Sequence, residues 1–308
     1  MSLQDKRIVV TGGAGFIGTH LVDRLVTDNE VLVVDDGSNG RREWVNDDAD
    51  FLGGDLTNEA VVTDAITPGT DLVVHLAASK LVDTDTPRKQ FDDNSEITYN
   101  VLERMDAVGV DALAFTSSST VYGEAPRPTP EDFAPLEPIS PYGAGKLAEE
   151  GLLSTYTHSH GIQSWVFRFA NIVGPGLRGA VIPDFIEKLR ADPETLVILG
   201  DGRQEKSYMH VEDCVDAICH VVEHAEGPLT TCNLGTRTTT SVDRIADIVS
   251  DVLGVDPDYE YTGGDRGWTG DVPRMRLSVE KLAGLGWEPA QSSDDAVRQA
   301  AEELSAEL

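Results

Sequence analysis

Cysteine is scarce in this chain, with Cys214, Cys219 and Cys232 the only three in 308 residues. The number is odd, the spacing suits no metal, and a chain long enough to bury a sizeable core needs no covalent staples. A disulfide framework and a cysteine-based metal centre are thereby excluded as organising devices. The thiols are expected to be reduced and buried, and no metal site is expected. Lysine is also sparse, at seven residues. With 54 acidic against 24 basic side chains the formal charge is −30, which opposes binding to nucleic acid or to an anionic membrane. An acidic excess of this size is the pattern of proteins from salt-loving organisms, in which solvent ions screen the self-repulsion. Long apolar runs are missing too. None approaches the length that spans a bilayer, and MSLQDKRIVVTGG enters a strand at once, leaving no room for a signal peptide. A cytoplasmic protein without nucleic-acid or membrane partners is expected.

What the chain does have is alternation. RIVVTG, VLVVDD, DLVVHLAA and DALAFTSSS are short apolar, β-branched runs, separated by helical patterns such as FIGTHLVDRLVTD and RKQFDDNSEITYNVLERMDAVG. Runs of this kind joined through helices predict a Rossmann-type, doubly wound parallel sheet covered on both faces. PYGAGKLAEEGLLSTYTHSHG reads as a further long helix, and SWVFRFANIVG as a strand that carries Arg168 and Asn171 to its carboxyl end, where open sheets bind ligands. After Gly174 the alternation becomes irregular, then helix and strand return in SYMHVEDCVDAICHVVEHAEG and TTCNLG. The expected organisation is an α/β fold with a nucleotide-binding domain at 1–172 and 207–235. A smaller, interleaved C-terminal substrate lobe is expected at 173–206 and 236–308.

Gly12, Gly15 and Gly18 follow a strand and open a helix. In that setting a tight turn, close backbone approach and exposed helical N–H groups favour a pyrophosphate. The bland reading is a strand-to-helix turn without a ligand, and the acid that follows makes it the weaker one. Asp35 ends the second strand, where a carboxylate takes two ribose hydroxyls and repels a 2′-phosphate, favouring NAD over NADP. Asp36 competes for that role, and is placed second because Asp35 directly ends the apolar strand. Asp55 in GGDLT either bonds an adenine amino group or caps a helix. Ala77 and Ala78 are small where a strand end would meet the cofactor.

Tyr142 and Lys146 are four apart, which puts both on one helical face just after Pro141. A phenol at its ordinary pKa near 10 is a poor base at neutral pH, but a neighbouring ammonium and an oxidised nicotinamide stabilise its phenolate. Upstream, Thr116 to Thr120 form a strand-end cluster of hydroxyls, any of which can hydrogen-bond a reacting hydroxyl or carbonyl. A packed tyrosine beside a snorkelling lysine is the ordinary alternative.

The order and spacing of TGGAGFIG, HLAAS, SSSTVYG and YGAGK resemble the extended short-chain dehydrogenase/reductase family, and by motif the UDP-glucose 4-epimerases most. DGSNG, RFANIVGPG, GDGRQEKSYMHVEDCVDA and RGWTGDVPRM extend the likeness through nearly the whole chain. The resemblance implies Ser118 as hydroxyl partner, Tyr142 as acid/base, and Lys146 as its activator and nicotinamide-ribose ligand. It implies NAD contacts from Gly12, Gly15, Phe16, Ile17, Gly18, Asp35, Asp36, Asn39, Gly40, Asp55, Leu56, Ala77, Ala78 and Lys80. It implies a nucleotide-sugar substrate held by Asn171, Lys206 and Arg266 as well as by Ser118 and Tyr142, and a homodimer through helices near 88–108 and 142–160. Several positions depart from the pattern. Gly145 stands where a serine is usual, Ile97 where glycine is common, and Lys206 where many relatives carry arginine, exchanging a bidentate fork for a point charge. Met275 sits near the position that sets room around the sugar 2-substituent.

The implied reaction is epimerisation at C4 through a 4-keto sugar, of the UDP-glucose/UDP-galactose type. Rivals on the same fold are a dehydratase or decarboxylase and a 4-keto-sugar reductase; a non-catalytic NAD-binding regulatory module is the rival of another class. SSSTVYG carries no acid where a dehydratase or decarboxylase would need one, and retention of Ser118, Tyr142 and Lys146 argues against the regulatory module. Arg178, Arg203, Lys206, Arg266, Arg274 and Arg276 are the cations expected to supply a diphosphate site in a chain of this charge.

Overall fold

The apolar runs become parallel strands. In chain order, β1 (Arg7–Thr11), α1 (Phe16–Leu25), β2 (Glu30–Asp35), β3 (Asp50–Gly53), α2 (Glu59–Ala65) and β4 (Leu72–His75) open the chain, followed by α3 (Pro87–Val108), β5 (Ala112–Ser118), α4 (Pro141–His160) and β6 (Gln163–Phe169). Next come β7 (Asn171–Val173), α5 (Val181–Ala191), β8 (Thr195–Ile198), β9 (Glu205–Lys206), β10 (Tyr208–His210), α6 (Val211–His224) and β11 (Leu229–Leu234). The chain closes with β12 (Thr240–Ser241), α7 (Val242–Leu253), β13 (Asp258–Tyr261), β14 (Arg274–Met275), α8 (Glu280–Gly284) and α9 (Ser293–Glu307). This computed structural model describes residues 1–79, 86–267 and 270–308.

Seven strands form the main sheet in the order β11–β6–β5–β4–β1–β2–β3. The pairings β1–β2, β1–β4, β2–β3 and β4–β5 are all parallel, so the expected doubly wound α/β fold is what the chain adopts. Val9, Val34, Val73, Leu113, Phe115 and Val166 of the sheet share one core with Val62, Val101, Leu102, Met105 and Leu153 of the helices. Each such fully buried side chain contributes roughly 1.5–3 kcal/mol relative to exposure. The strand order reverses between β1 and β4, and the crevice beyond their carboxyl ends is where such sheets take their ligands.

The chain divides into two compact units. The first comprises Met1–Val121, Pro141–Arg168 and Val215–Cys232, and the second Tyr122–Ser140, Phe169–Cys214 and Asn233–Leu308. These limits differ from the expected ones: the break falls after Arg168 rather than 172 and after Cys214 rather than 206, and residues 122–140 join the second unit. Two physical causes are visible. The run SWVFRFANIVG is not one strand, because at Ala170 the backbone turns to Leu234 O and at Asn171 to Ser207 O, passing from β6 to the separate parallel pair β7–β10. Residues 122–140 are held by Asn233, which is fully buried. Its Oδ1 accepts from the Tyr122 hydroxyl at 2.8 Å, and its Nδ2 donates to Thr129 O at 3.0 Å and Ser278 O at 3.1 Å. Thr129 also pairs by backbone with Arg276 and Ser278.

Within the second unit α5, α7 and α9 pack together, and β9 lies between β12 and β14 in a small sheet. Ser292 starts α9 with a capping box that it shares with Asp295. The three cysteines are free and buried. Among the described residues no helix is long and apolar enough to cross a membrane.

Asn233→Ala removes three hydrogen bonds at once, from the Tyr122 hydroxyl and to the Thr129 and Ser278 carbonyls, of which Thr129 O keeps its bond from Ser278 N. A loss of about 3 kcal/mol is expected, read as a lower urea midpoint at unchanged slope.

Candidate active site

The glycine turn sits at the reversal of strand order. Gly12 has φ +69°, and a Cβ there would lie 2.7 Å from Ala77 N. A Cβ at Gly18 would lie 2.4 Å from Gly12 O. Both glycines are therefore required by backbone packing. Gly15 is different, since its Cβ would meet only Gly12 O, at 3.3 Å. Gly15 also caps α1 without offering a side-chain acceptor, and the first turn, which begins with Phe16 and Ile17, holds no acid. The helix N-terminus thus keeps its positive end and its N–H groups for an anion.

Asp35 ends β2 and is buried. Its Oδ2 accepts from Ala14 N at 3.1 Å and its Oδ1 from Gly37 N at 2.9 Å, so it braces the glycine turn while each oxygen keeps a lone pair. Burial pushes its pKa up, and the two backbone N–H groups pull against that. Asp36 is exposed and spends Oδ1 on Ser38 N. Gly40 packs on Ala14, where a Cβ would come within 2.6 Å of the Ala14 carbonyl carbon, so the loop carrying Asn39 lies on the glycine turn. Asp55 does not cap α2. Asn58 does, accepting from Ala60 N, while Asp55 is exposed and accepts from Thr57 N at 2.9 Å, with Leu56 buried behind it. Ala77 donates its N–H to Thr11 Oγ1 at 3.3 Å, and Ala78 follows it, half-buried. Lys80 lies outside the described residues.

Of the strand-end hydroxyls, Thr116 donates to His75 O at 3.3 Å and Ser117 to Glu150 Oε1 at 2.5 Å. Ser118 Oγ accepts from Thr120 N at 3.2 Å and from Thr120 Oγ1 at 2.9 Å, which leaves its own O–H to donate elsewhere. The end of β5 is tied to α4, the helix of Tyr142 and Lys146, by the Ser117–Glu150 bond. Lys146 is almost wholly buried, with Nζ 4.6 Å from the centre of the Phe115 ring. Burial pushes the half-buried Tyr142 phenol up, while the Lys146 ammonium pulls it down. The structure thus ties the strand that ends at Ser118 to the helix that carries Tyr142 and Lys146, within one unit.

Arg168 is engaged with a carboxylate of the same unit. It is buried and forms a two-point ion pair with Glu150, Nη2 to Oε2 at 2.7 Å and Nε to Oε1 at 3.0 Å. In the second unit Asn171 starts β7. Lys206 Nζ pairs with Asp271 at 2.5 Å, and Arg266 bonds Asp271 O at 2.5 Å and also forms an ion pair with Glu124. Asp271 gathers both cations and also accepts from Gly267 N at 3.1 Å. The parallel register sets Met275 beside Lys206 and Arg274 beside Glu205. Alternation then places Arg274 and Arg276 on the face away from Lys206, where Arg276 lines a cleft of about 410 Å³ with Pro126, Arg127, Glu205 and Thr239. Arg178 pairs with Glu307. Of the six expected cations, Lys206 and Arg266 are the two that gather around Asp271, while Arg203 is exposed.

Sequence reasoning missed Glu149, Glu150, Thr98 and His75. Glu149 Oε2 accepts from Lys146 Nζ at 3.0 Å and from Thr98 Oγ1 at 3.3 Å, and His75 bonds Thr98 in turn. The signal available was a carboxylate at i+3 from the lysine, on the same helical face.

Residues 8–235 match the NAD dependent epimerase/dehydratase family. The chain belongs to that family. Its cofactor is NAD, and the residues present fit it: a turn that requires glycine at positions 12 and 18, a helix N-terminus without a side-chain cap and a strand-end carboxylate. A crystal structure of a UDP-galactose 4-epimerase is 44% identical, with a TM-score of 0.89, over 98% of this chain and 99% of that one. The UDP-glucose 4-epimerase of Streptococcus mutans is 31% identical over 92% of this chain and 91% of its own. UDP-glucuronic acid decarboxylase 3 of Arabidopsis thaliana is 32% identical over 92% and 85%.

Two glycines of the turn separate packing from binding. Gly18→Ala is expected to cost the cofactor-free protein about 2 kcal/mol by overpacking. Gly15→Ala is expected to leave that stability within about 1 kcal/mol while weakening NAD binding more than tenfold, as thermal unfolding and NAD titration of both variants will show.

Proposed function

We propose that the protein epimerises a nucleotide sugar at C4, of the UDP-glucose/UDP-galactose type, with Ser118, Tyr142 and Lys146 as its catalytic residues. Bound NAD supplies the acceptor that takes hydride from C4 and returns it. Phenolate Tyr142 removes the proton of the 4-hydroxyl, and Ser118 donates its free O–H to the same oxygen. Lys146 holds its charge beside the phenol and lowers the cost of phenolate. When the 4-keto sugar is reduced on its other face, Tyr142 returns the proton to O4, so one centre inverts without net oxidation.

Gly12, Gly15, Phe16, Ile17 and Gly18 would hold the pyrophosphate of NAD, and Asp35 the adenine ribose, with Asp36, Asn39 and Gly40 beside it. Asp55 and Leu56 would flank the adenine, and Ala77 and Ala78 give room at the strand end. Asn171 and Arg266 are assigned to the nucleotide sugar. Lys206 is the weaker candidate because Asp271 neutralises it at 2.5 Å.

The observation that favours epimerisation over loss of water or carbon dioxide is the state of the acids bonded to β5 and α4. Glu149 is paired with Lys146, and Glu150 with Arg168 and Ser117. Neither is free to act as a separate acid or base, and Ser119 and Thr120 supply none. We also propose a homodimer through α3 and α4, because α3 exposes Phe91 (38%) and Tyr99 (44%), large apolar rings unusual on a surface this charged.

The deciding experiment incubates the protein without added cofactor with UDP-glucose, UDP-galactose and their N-acetyl forms, followed by NMR of the products. Inversion at C4 is expected, and Tyr142→Phe should lower turnover by more than a thousandfold while the variant stays folded and NAD-loaded. A deoxy-keto or decarboxylated product, or substantial activity in Tyr142→Phe, would overturn the reading. Size-exclusion chromatography in high salt is expected to give twice the chain mass, and a monomer would remove the dimer.

A further inference from the structure

The Lys146 ammonium and the Glu149 carboxylate are 2% and 1% exposed. Both charges have left water, so each depends on what surrounds it. The surroundings form a hydrogen-bond chain with one direction. Ala77 N–H donates to Thr11 Oγ1 (3.3 Å), Thr11 pairs with His75 Nδ1 (2.7 Å), and His75 Nε2 with Thr98 Oγ1 (3.3 Å). Thr98 then donates to Glu149 Oε2 (3.3 Å), which also accepts from Lys146 Nζ (3.0 Å). A Thr98 hydroxyl that donates to a carboxylate must accept from Nε2–H, so His75 is neutral and Thr11 donates to its Nδ1. Burial and the nearby Lys146 hold the His75 pKa at about 3, in agreement. Every donor in the chain points toward Glu149.

The other oxygen, Oε1, is buried with no hydrogen-bond partner among the described residues. It faces Gly145, whose Cβ, if present, would lie 3.8 Å away. A carboxylate buried with one oxygen unsatisfied costs stability. A charge-balancing partner for Lys146 does not need to stand there half-satisfied.

We propose that Glu149 is a positioning residue for the proton transfer at Tyr142: it anchors the Lys146 ammonium over Phe115 and offsets part of that ammonium's pull on the phenol. Tyr142 then releases its proton when a further positive charge, such as an oxidised nicotinamide ring, stands beside it, and regains it when that charge is gone. The inference rests on the assignment of Tyr142 as acid/base.

The other groups around the pair do not supply this effect. His75, from β4, is neutral. Glu150 on α4 is neutralised by Arg168 of β6. β5 presents Phe115, and the buried face of α3 is Gln90, Asn94, Thr98, Val101, Leu102 and Met105, with no charge among them. Lys146 and Glu149 are the charges that act on Tyr142, in opposite directions.

The test is a pH titration of the NAD-loaded protein followed by tyrosinate absorbance. The step that disappears in Tyr142→Phe belongs to Tyr142. In Glu149→Gln that step is expected about one pH unit lower, the size of effect that one nearby like charge produces. Glu149→Ala is read in the same way should the glutamine variant not fold. Gly145→Ser keeps the charge and offers Oε1 a hydroxyl, so it should raise the melting temperature and leave the step in place. A Tyr142 step unmoved in the Glu149 variants, or moved equally by Gly145→Ser, overturns the role of Glu149. Absence of any step removable by Tyr142→Phe overturns the assignment of Tyr142 and this inference with it.

Discussion

At Gly12 the backbone leaving β1 passes so close to Ala77 that one methyl group would separate them. That approach exists because β1 and β4 are neighbours at the point where strand order reverses, and most of the first unit's chemistry follows from it. The turn at Gly12 allows Gly15 and Gly18 to start α1 with bare N–H groups. Asp35 braces the same turn through Ala14. Thr11, the last residue of β1, takes the Ala77 N–H and turns its own proton to His75, which begins the chain that ends on Glu149 and Lys146. The glycine turn and the environment of Lys146 are thus two ends of one constraint.

The parts of this that are local in sequence are legible there. Three glycines at fixed spacing after a strand, an acid ending the next strand, and a tyrosine four residues before a lysine each have a meaning set by helical or strand periodicity. What periodicity does not carry is pairing across elements. Arg168 reads as a polar group delivered to a ligand, and only the fold shows it spent on Glu150. Asp55 reads equally as an adenine contact or a helix cap, and the fold gives the cap to Asn58. Arg274 and Arg276 read as candidate phosphate ligands, but the register of a two-residue strand against β9 turns them from Lys206. Residues 122–140 leave the first unit because a single buried asparagine more than a hundred residues later clamps them. Glu149 lies in a run of helix formers, LAEEG, where a carboxylate reads as a solvated face.

The charge of the chain adds a second constraint. A protein carrying −30 has few cations to spare, and several of the described ones are engaged: Lys206 and Arg266 with Asp271 and Glu124, Arg178 with Glu307, Arg168 with Glu150. The cofactor end therefore works by a different means. It offers backbone N–H groups at a helix start whose first turn holds no acid, and no neighbouring carboxylate neutralises these donors as it does a side-chain cation.

Lys146 follows the same logic by burial. In solvent its charge would be one of few among many opposing ones, and counterions would screen it. Inside, with 2% of its side chain exposed and one carboxylate at 3.0 Å, its field is set by Glu149 and hardly at all by the surface. Screening that falls off within roughly 10 Å at ordinary salt and 3 Å at molar salt does not reach such a pair. The field of two buried charges beside a neutral histidine chain stays fixed while the ionic strength outside changes, which is what the role proposed for Tyr142 requires.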